Sequence, residues 1–185
     1  STLDEAVKRI DELIKRLREV NEEVARRSKR LNDELKKVNE DVARKIEELI
    51  RRLRDVVRKI SDKETVDRIV DKALEDVKKL IEDVKRISDK VLEDSKRLIE
   101  EVKRITDRVL EEVERLIREV KKETRDKRVE EELERVLRKV EKVVKESRDH
   151  LEEVLRRSED MARRSREHLE ELLKRVEKVV REIRT

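Results

Sequence analysis

Residues 71–124 read DKALEDVKKLIEDVKRIS, DKVLEDSKRLIEEVKRIT and DRVLEEVERLIREVKKET, which is one 18-residue pattern written three times. Eighteen residues make five turns of an α-helix at about 3.6 residues per turn, so side chains one period apart point the same way. The same period relates VNEEVAR at Val20 to VNEDVAR at Val38, and SRDHLEEVLRR at Ser147 to SREHLEELLKR at Ser165. The repeat therefore predicts nearly straight helices, because only a heptad repeat imposes a left-handed supercoil.

The composition excludes most other classes of protein. The chain contains no Gly, Pro, Cys or aromatic residue, and 56% of its residues are charged. Strong helix formers therefore dominate, while disulfides, thiolate sites and aromatic stacking platforms are absent from the sequence. Its 54 basic and 50 acidic residues interleave everywhere, which argues against a nucleic-acid-binding face. No apolar run approaches the roughly 18 residues of a membrane span, so we expect a soluble, untargeted chain whose localisation is otherwise unknown.

Apolar residues follow the i, i+3, i+4, i+7 spacing of an amphipathic helix, as in the stretch from Val77 to Val91. At about 100° per residue they cover an arc of about 140°, so each helix is expected to contact two neighbours. The direction of the apolar stripe jumps near residues 61–65 and again near 123–128. These jumps argue against the alternative of one continuous helix, which would be roughly 280 Å long.

We therefore predict an all-α fold, a single-chain up-down-up antiparallel three-helix bundle of long, nearly straight helices built on the 18-residue repeat. The predicted helices cover about residues 2–60, 65–122 and 127–184 of one domain, 1–185, and each would be roughly 85 Å long. Ser61, Asp62, Thr124 and Asp126 are the expected turn and N-cap residues. Short loops make neighbouring helices antiparallel, but they leave the handedness of the bundle open.

Several polar residues interrupt the apolar stripes, and a buried polar group without a partner costs about 1–3 kcal/mol. In two antiparallel helices, residues that face each other have numbers with a constant sum. With a sum of 127 for helices 1 and 2 and of 253 for helices 2 and 3, these polar residues fall into groups. The predicted layers are Asn21, Thr106 and Ser147; Asn32, Ser95 and Ser158 with Ser28 one turn away; and Asn39, Ser88 and Ser165. Such layers would select one helix register. The alternative is that the hydroxyls bond to carbonyls of their own helix four residues back.

His150 and His168 lie one period apart at the edge of the apolar arc. We interpret them as boundary histidines that join or flank the polar layers. A pH-sensitive role is the alternative, since protonation of a half-buried imidazole would add charge beside the core. The two cannot share a metal ion, because 18 residues of helix separate them by roughly 27 Å.

No motif for catalysis or cofactor binding is present. Di-iron bundles place Glu three residues before His, but Ser147 and Ser165 occupy those positions. HExxH, glycine-rich phosphate loops and nucleophile elbows are missing as well. Pairs such as Glu75 with Lys79 are interpreted as surface ion pairs. We therefore expect no enzyme activity, no metal and no cofactor.

The regular 18-residue periods, the missing Gly, Pro and aromatic residues and the Asn and Ser layers resemble parametrically designed helical bundles with buried hydrogen-bond networks. The resemblance covers the whole chain and implies a very stable structural scaffold. Related designs also serve as interaction modules, that is, switches or parts of heteromers, and such a module would leave a contiguous apolar patch exposed. Natural spectrin-like domains fit less well, since they carry aromatic residues. The sequence predicts no required partner and favours a monomer, but it leaves homo-oligomers and hetero-oligomers open.

Overall fold

The computed structural model describes residues 2–185, and helices occupy nearly all of them. They are α1 (Leu3–Arg58), α2 (Lys63–Glu123) and α3 (Lys127–Arg184). No strand is found between residues 2 and 185. The predicted all-α, up-down-up three-helix bundle is confirmed.

The helices form because each carries one apolar stripe at helical spacing on an otherwise charged surface. In α2, for example, Val70, Val77, Ile81 and Val84 are all buried, while the residues between them are mostly exposed. No Gly or Pro interrupts the helices, so intrinsic propensity and burial favour the same structure.

Both loops reverse the chain without glycine. At the end of α1, the amide of Lys59 donates to the carbonyl of Val56 over 3.1 Å, and the amide of Ile60 donates to Val57 over 3.2 Å. These i to i−3 bonds tighten the last turn. They also give hydrogen-bond donors to terminal carbonyls that in many helices are satisfied by a C-terminal cap with glycine. Accordingly, no residue within the described range 2–185 has a positive φ.

Aspartates begin the next helix after each loop. The Asp62 carboxylate accepts hydrogen bonds from the Glu64 amide at 3.3 Å and from the Thr65 hydroxyl at 2.6 Å. Asp126 accepts from the amide of Arg128 at 3.0 Å. Both therefore act as N-caps, which satisfy amides that have no partner inside the helix.

The chain divides into two compact units. The first unit contains α1 up to Lys29, α2 from Asp94 and α3 up to Arg157. Its core includes Ile10, Leu17, Val113 and Leu133, all at most 1% exposed, and it continues through a smaller cluster around Ile99. Aliphatic side chains from all three helices fill this core.

The second unit contains α1 from Arg30, α2 up to Glu93 and α3 from Ser158. Its core has the same character: Ile46, Val70, Val77 and Leu169 are fully buried. Three helix segments again contribute, as expected for apolar arcs wide enough to contact two neighbours.

Candidate functional site: the buried polar residues

The polar residues that interrupt the apolar stripes are buried, with one exception. Nine of them are at most 9% exposed: Asn21, Ser28, Asn39, Ser88, Ser95, Thr106, Ser147, Ser158 and Ser165. Asn32 is half-buried. Because these buried groups have lost their contact with water, each needs a hydrogen-bond partner within the protein.

In the first unit, the structure brings Asn21 to Ser147. The Nδ2 of Asn21 donates to the Ser147 Oγ over 2.6 Å, which joins α1 to α3. Thr106 does not join them: its hydroxyl donates to the carbonyl of Val102, four residues back, over 2.8 Å. Asn21 Oδ1 is buried and has no hydrogen-bond partner among residues 2–185. Of the three residues predicted to form one hydrogen-bonded layer, Asn21 and Ser147 are hydrogen-bonded to each other. Thr106 instead donates to its own helix, as hydroxyls in helices often do.

In the second unit, the corresponding pair is Asn39 and Ser165. The Ser165 hydroxyl donates to the Oδ1 of Asn39 over 3.0 Å, again between α1 and α3. Ser88, which was predicted to complete this group, is fully buried, but its Oγ has no hydrogen-bond partner within the described part of the chain. Here too the structure has a pair where a three-residue group was predicted: Ser165 donates to Asn39, and Ser88 bonds to neither of them.

The two pairs are copies of one another along the sequence. Partners in both are 126 residues apart, and each pair is displaced from the other by the 18-residue period on both helices. α1 and α3 run in the same direction, so a constant difference in residue number is the signature of one parallel register. The direction of donation differs, since a hydroxyl can donate or accept.

The residues of the predicted central layer are distributed between the two units. Ser28 and Ser95 belong to the first unit, whereas Asn32 and Ser158 belong to the second. The three serines are at most 2% exposed. Asn32 Oδ1 is buried and lacks a hydrogen-bond partner among residues 2–185.

The histidines are more exposed than expected. Both His150 and His168 are exposed, not half-buried as the pH-sensitive alternative supposes. Each lies one residue before a fully buried leucine, Leu151 or Leu169, which takes the core-facing position. His150 nevertheless lines a cavity of about 190 Å³ together with Asn21 and Ser147. It therefore flanks the first polar pair from the solvent side.

Ion pairs between helices follow the same period, and the sequence reasoning missed them. α3 and α2 are joined by three arginine–aspartate pairs: Arg148 with Asp107 at 3.0 Å, Arg166 with Asp89, and Arg184 with Asp71. Successive arginines are 18 residues apart, and so are successive aspartates. Their residue numbers always add to 255, which is a signal that could have been read from the sequence. All are solvent-exposed, so each contributes little to stability but penalises a shifted register.

The surface otherwise consists of local ion pairs. Glu23 accepts hydrogen bonds from Arg26 at 2.8 Å and Arg27 at 3.0 Å. These bonds, that of Arg26 first, lower the pKa of the Glu23 carboxyl, and Glu23 raises the pKa of Arg26 in return. Lys79 and Glu75 form the predicted pair at 3.9 Å. Pairs of this kind are exposed to solvent and stabilise a helix only slightly.

The described residues contain no group of three or more His, Asp or Glu side chains that could hold a metal ion. No helix in residues 2–185 is long and apolar enough to cross a bilayer. The buried polar groups are hydroxyls and amides, which have no ordinary acid-base chemistry. The arrangement can position helices against each other.

Comparison with known proteins agrees with this description. No protein-family model matches the chain, and neither does any curated protein. Among solved structures, it is similar to a "Computationally designed three helix bundle", with a TM-score of 0.69 and 18% sequence identity over 98% of this chain and 91% of that chain. At that identity the likeness shows a shared fold and nothing about activity.

Proposed function

We propose that this chain is a designed structural scaffold, a single three-helix bundle over residues 1–185 with no enzymatic activity. The observation that carries the proposal is the burial of its apolar side chains. Within residues 2–185, Val56 and Ile87 are the exposed large hydrophobic residues, at 42% and 40%. An interaction module would present a contiguous apolar face along a helix to its partner, whereas α1 and α2 each expose one large hydrophobic residue among those described.

The polar pairs and the ion pairs support a role in specifying the fold. Each Asn–Ser pair ties α1 to α3, and the arginine–aspartate pairs tie α3 to α2 at one register. A helix shifted by one turn would leave an amide buried without its partner and would separate opposite charges. We infer that the buried Asn, Ser and Thr residues are there to select one packing, at some expense in stability.

The regular period and the composition support an artificial origin. A chain with no Gly, Pro, Cys or aromatic residue is rare among natural globular domains. The solved structure that it resembles is described as computationally designed. For a protein of this kind the expected property is high stability, with a melting temperature above about 90 °C.

The mass in solution tests the proposal. Sedimentation equilibrium over a wide range of concentrations is expected to give 22.4 kDa throughout, because the apolar faces are satisfied within one chain. A mass that doubles with concentration would contradict a self-contained scaffold and support an assembly module. A calorimetric scan of the same sample tests the single domain: one cooperative transition is expected, since all three helices continue from one unit into the other.

A further inference from the structure

A groove opens between α1 and α2 in the second unit, close to the loop that joins them. It has a volume of about 400 Å³. Its apolar lining is formed by Leu49, Leu53, Val56, Ile69 and Ala73. Val56, one of the two exposed large hydrophobic residues, is 42% accessible there. The groove is therefore an apolar surface in contact with water, and its volume is within the range of about 300–1,000 Å³ that small-molecule sites occupy.

A change in the repeat contributes to the groove. Ala73 stands where the next two repeats have valine, at Val91 and Val109. Leu53 lines the groove together with Ala73, and α1 carries leucine again one and two periods earlier, at Leu35 and Leu17. The smaller side chain at Ala73 thus removes two methyl groups opposite Leu53 without any compensating enlargement on α1. Missing volume between two packed helices leaves space.

The rim of the groove is positively charged. Arg52, Arg68 and Lys72 line it, with Asp76 as the one carboxylate of the lining. Arg68 has Glu64 at 3.9 Å. Arg52 and Lys72 form no salt bridge within 4.0 Å among residues 2–185. Two cations without a salt bridge therefore stand beside the apolar floor, and the lining as a whole carries three cations and one carboxylate.

We propose that this groove binds one amphipathic anion, a medium-length alkyl chain that ends in a carboxylate. The alkyl chain covers Leu49, Val56 and Ile69, the half-buried and exposed members of the apolar lining, and removes their apolar surface from water. The carboxylate lies at the rim, where Arg52 and Lys72 supply opposite charge and hydrogen-bond donors. Charge complementarity selects the anion over a neutral or cationic amphiphile with the same tail.

Isothermal titration with decanoate at low ionic strength, below its micelle concentration, tests the proposal. One decanoate per chain is expected to bind. Decyltrimethylammonium, which has the same alkyl chain and the opposite charge, is expected to bind at least about tenfold more weakly. Equal binding of the two amphiphiles would show that the cationic rim plays no part and would overturn the proposal. So would the absence of saturable binding.

Two substitutions locate the site. Ala73→Leu fills the groove and is expected to weaken decanoate binding by at least about tenfold, since the alkyl chain loses its floor. Lys72→Glu reverses a rim charge without filling the groove, and a loss of about fivefold to tenfold is expected. Its matched control is Lys90→Glu, the same change one period along α2, which is exposed and outside the groove and should leave the affinity unchanged.

The variants remain informative if filling the groove disturbs folding. Circular dichroism establishes whether Ala73→Leu is folded; if it is not, the comparison of Lys72→Glu with Lys90→Glu decides. Unchanged affinity in a folded Ala73→Leu protein would place the ligand elsewhere and overturn the proposal, as would equal effects of the two lysine substitutions. A second copy of this chain is the competing occupant. Dimerisation that Ala73→Leu abolishes, without decanoate binding, would assign the groove to self-association instead.

Discussion

Asn21 on α1 and Ser147 on α3 form a buried hydrogen bond of 2.6 Å, and the other polar atom of the asparagine, Oδ1, has no hydrogen-bond partner among residues 2–185. The pair is therefore half satisfied. Half-satisfied polar groups are costly inside a protein, yet they can still select one arrangement over others. This relationship makes the energetic role of the polar residues measurable.

Removing only the serine hydroxyl should destabilise the protein. In Ser147→Ala the buried Asn21 amide loses its bond, and we expect a loss of about 1–3 kcal/mol in the free energy of unfolding. In the double variant Asn21→Leu with Ser147→Ala, both polar groups are gone, and stability should return to the wild-type value or exceed it. Chemical denaturation followed by far-UV circular dichroism measures both. A double variant less stable than Ser147→Ala would mean that the pair itself stabilises the fold.

Asn32 offers the simplest gain in stability. Its Oδ1 is buried without a hydrogen-bond partner in the described chain, so Asn32→Leu should keep the fold and raise or maintain the melting temperature. The matched control is Asn39→Leu, because the Asn39 Oδ1 accepts a hydrogen bond from Ser165. We expect the control to benefit less than Asn32→Leu. Clear unfolding of Asn32→Leu would show that this asparagine is required for folding.

Ser88 and Ser165 allow a matched comparison of one substitution, serine to alanine. The Ser88 hydroxyl has no hydrogen-bond partner among residues 2–185, whereas the Ser165 hydroxyl is hydrogen-bonded to Asn39. Ser88 Oγ is buried and has no hydrogen-bond partner in residues 2–185, so Ser88→Ala should leave stability unchanged or increase it by about 1 kcal/mol. Ser165→Ala removes the donor to Asn39 and should cost about 1–3 kcal/mol. Thermal melts of the two variants check this order. The reverse order would indicate that Ser88 has a partner in solution.

Much of the fold could be predicted from residues whose positions repeat. The period of 18 gives straight helices, and the phase jumps near residues 61–65 and 123–128 locate the two reversals. The pairing of α1 with α3 also follows from arithmetic, since the sums 253 and 127 differ by 126, the separation of Asn21 from Ser147. Constant sums and differences of residue numbers predict which residues of two helices lie side by side, because this register depends on the backbone and not on side-chain conformation.

The hydrogen bonds of individual hydroxyls could not be predicted in the same way. A threonine hydroxyl in a helix can donate to a neighbouring helix or to a carbonyl of its own helix, and Thr106 donates to the carbonyl of Val102 in its own helix. The choice depends on side-chain rotation, which the repeat does not determine. His150 and His168 are exposed for a different reason, since consecutive positions on a helix lie about 100° apart and Leu151 and Leu169 occupy the core-facing ones.

The arginine–aspartate pairs between α3 and α2 should behave as weak, exchangeable contacts. Reversing one charge in Arg166→Asp puts a carboxylate beside Asp89 and is expected to lower stability by less than about 1 kcal/mol at low salt. Adding Asp89→Arg restores the attraction with the charges exchanged, and most of the loss should be recovered. In about 1 M salt the difference should largely vanish, because the pair is exposed. Denaturation of the three proteins at two salt concentrations tests this; a loss that salt leaves unchanged would point to packing.

The N-cap of α2 should give a pH-dependent contribution to stability. Hydrogen bonds from Thr65, and then from the Glu64 amide, lower the pKa of the Asp62 carboxyl from its ordinary value of 3.8. Because the pKa is lower in the folded state, the stabilisation is fully present above pH 3.8 and is lost as the pH falls through the folded-state pKa. Asp62→Asn cannot ionise, so its melting temperature should lie below that of the wild type near neutral pH and converge with it in acid. Thr65→Val removes the principal donor and should shrink the difference between wild type and Asp62→Asn. Melting curves of the wild type and Asp62→Asn that stay parallel across the acidic range would show that ionised Asp62 does not stabilise α2.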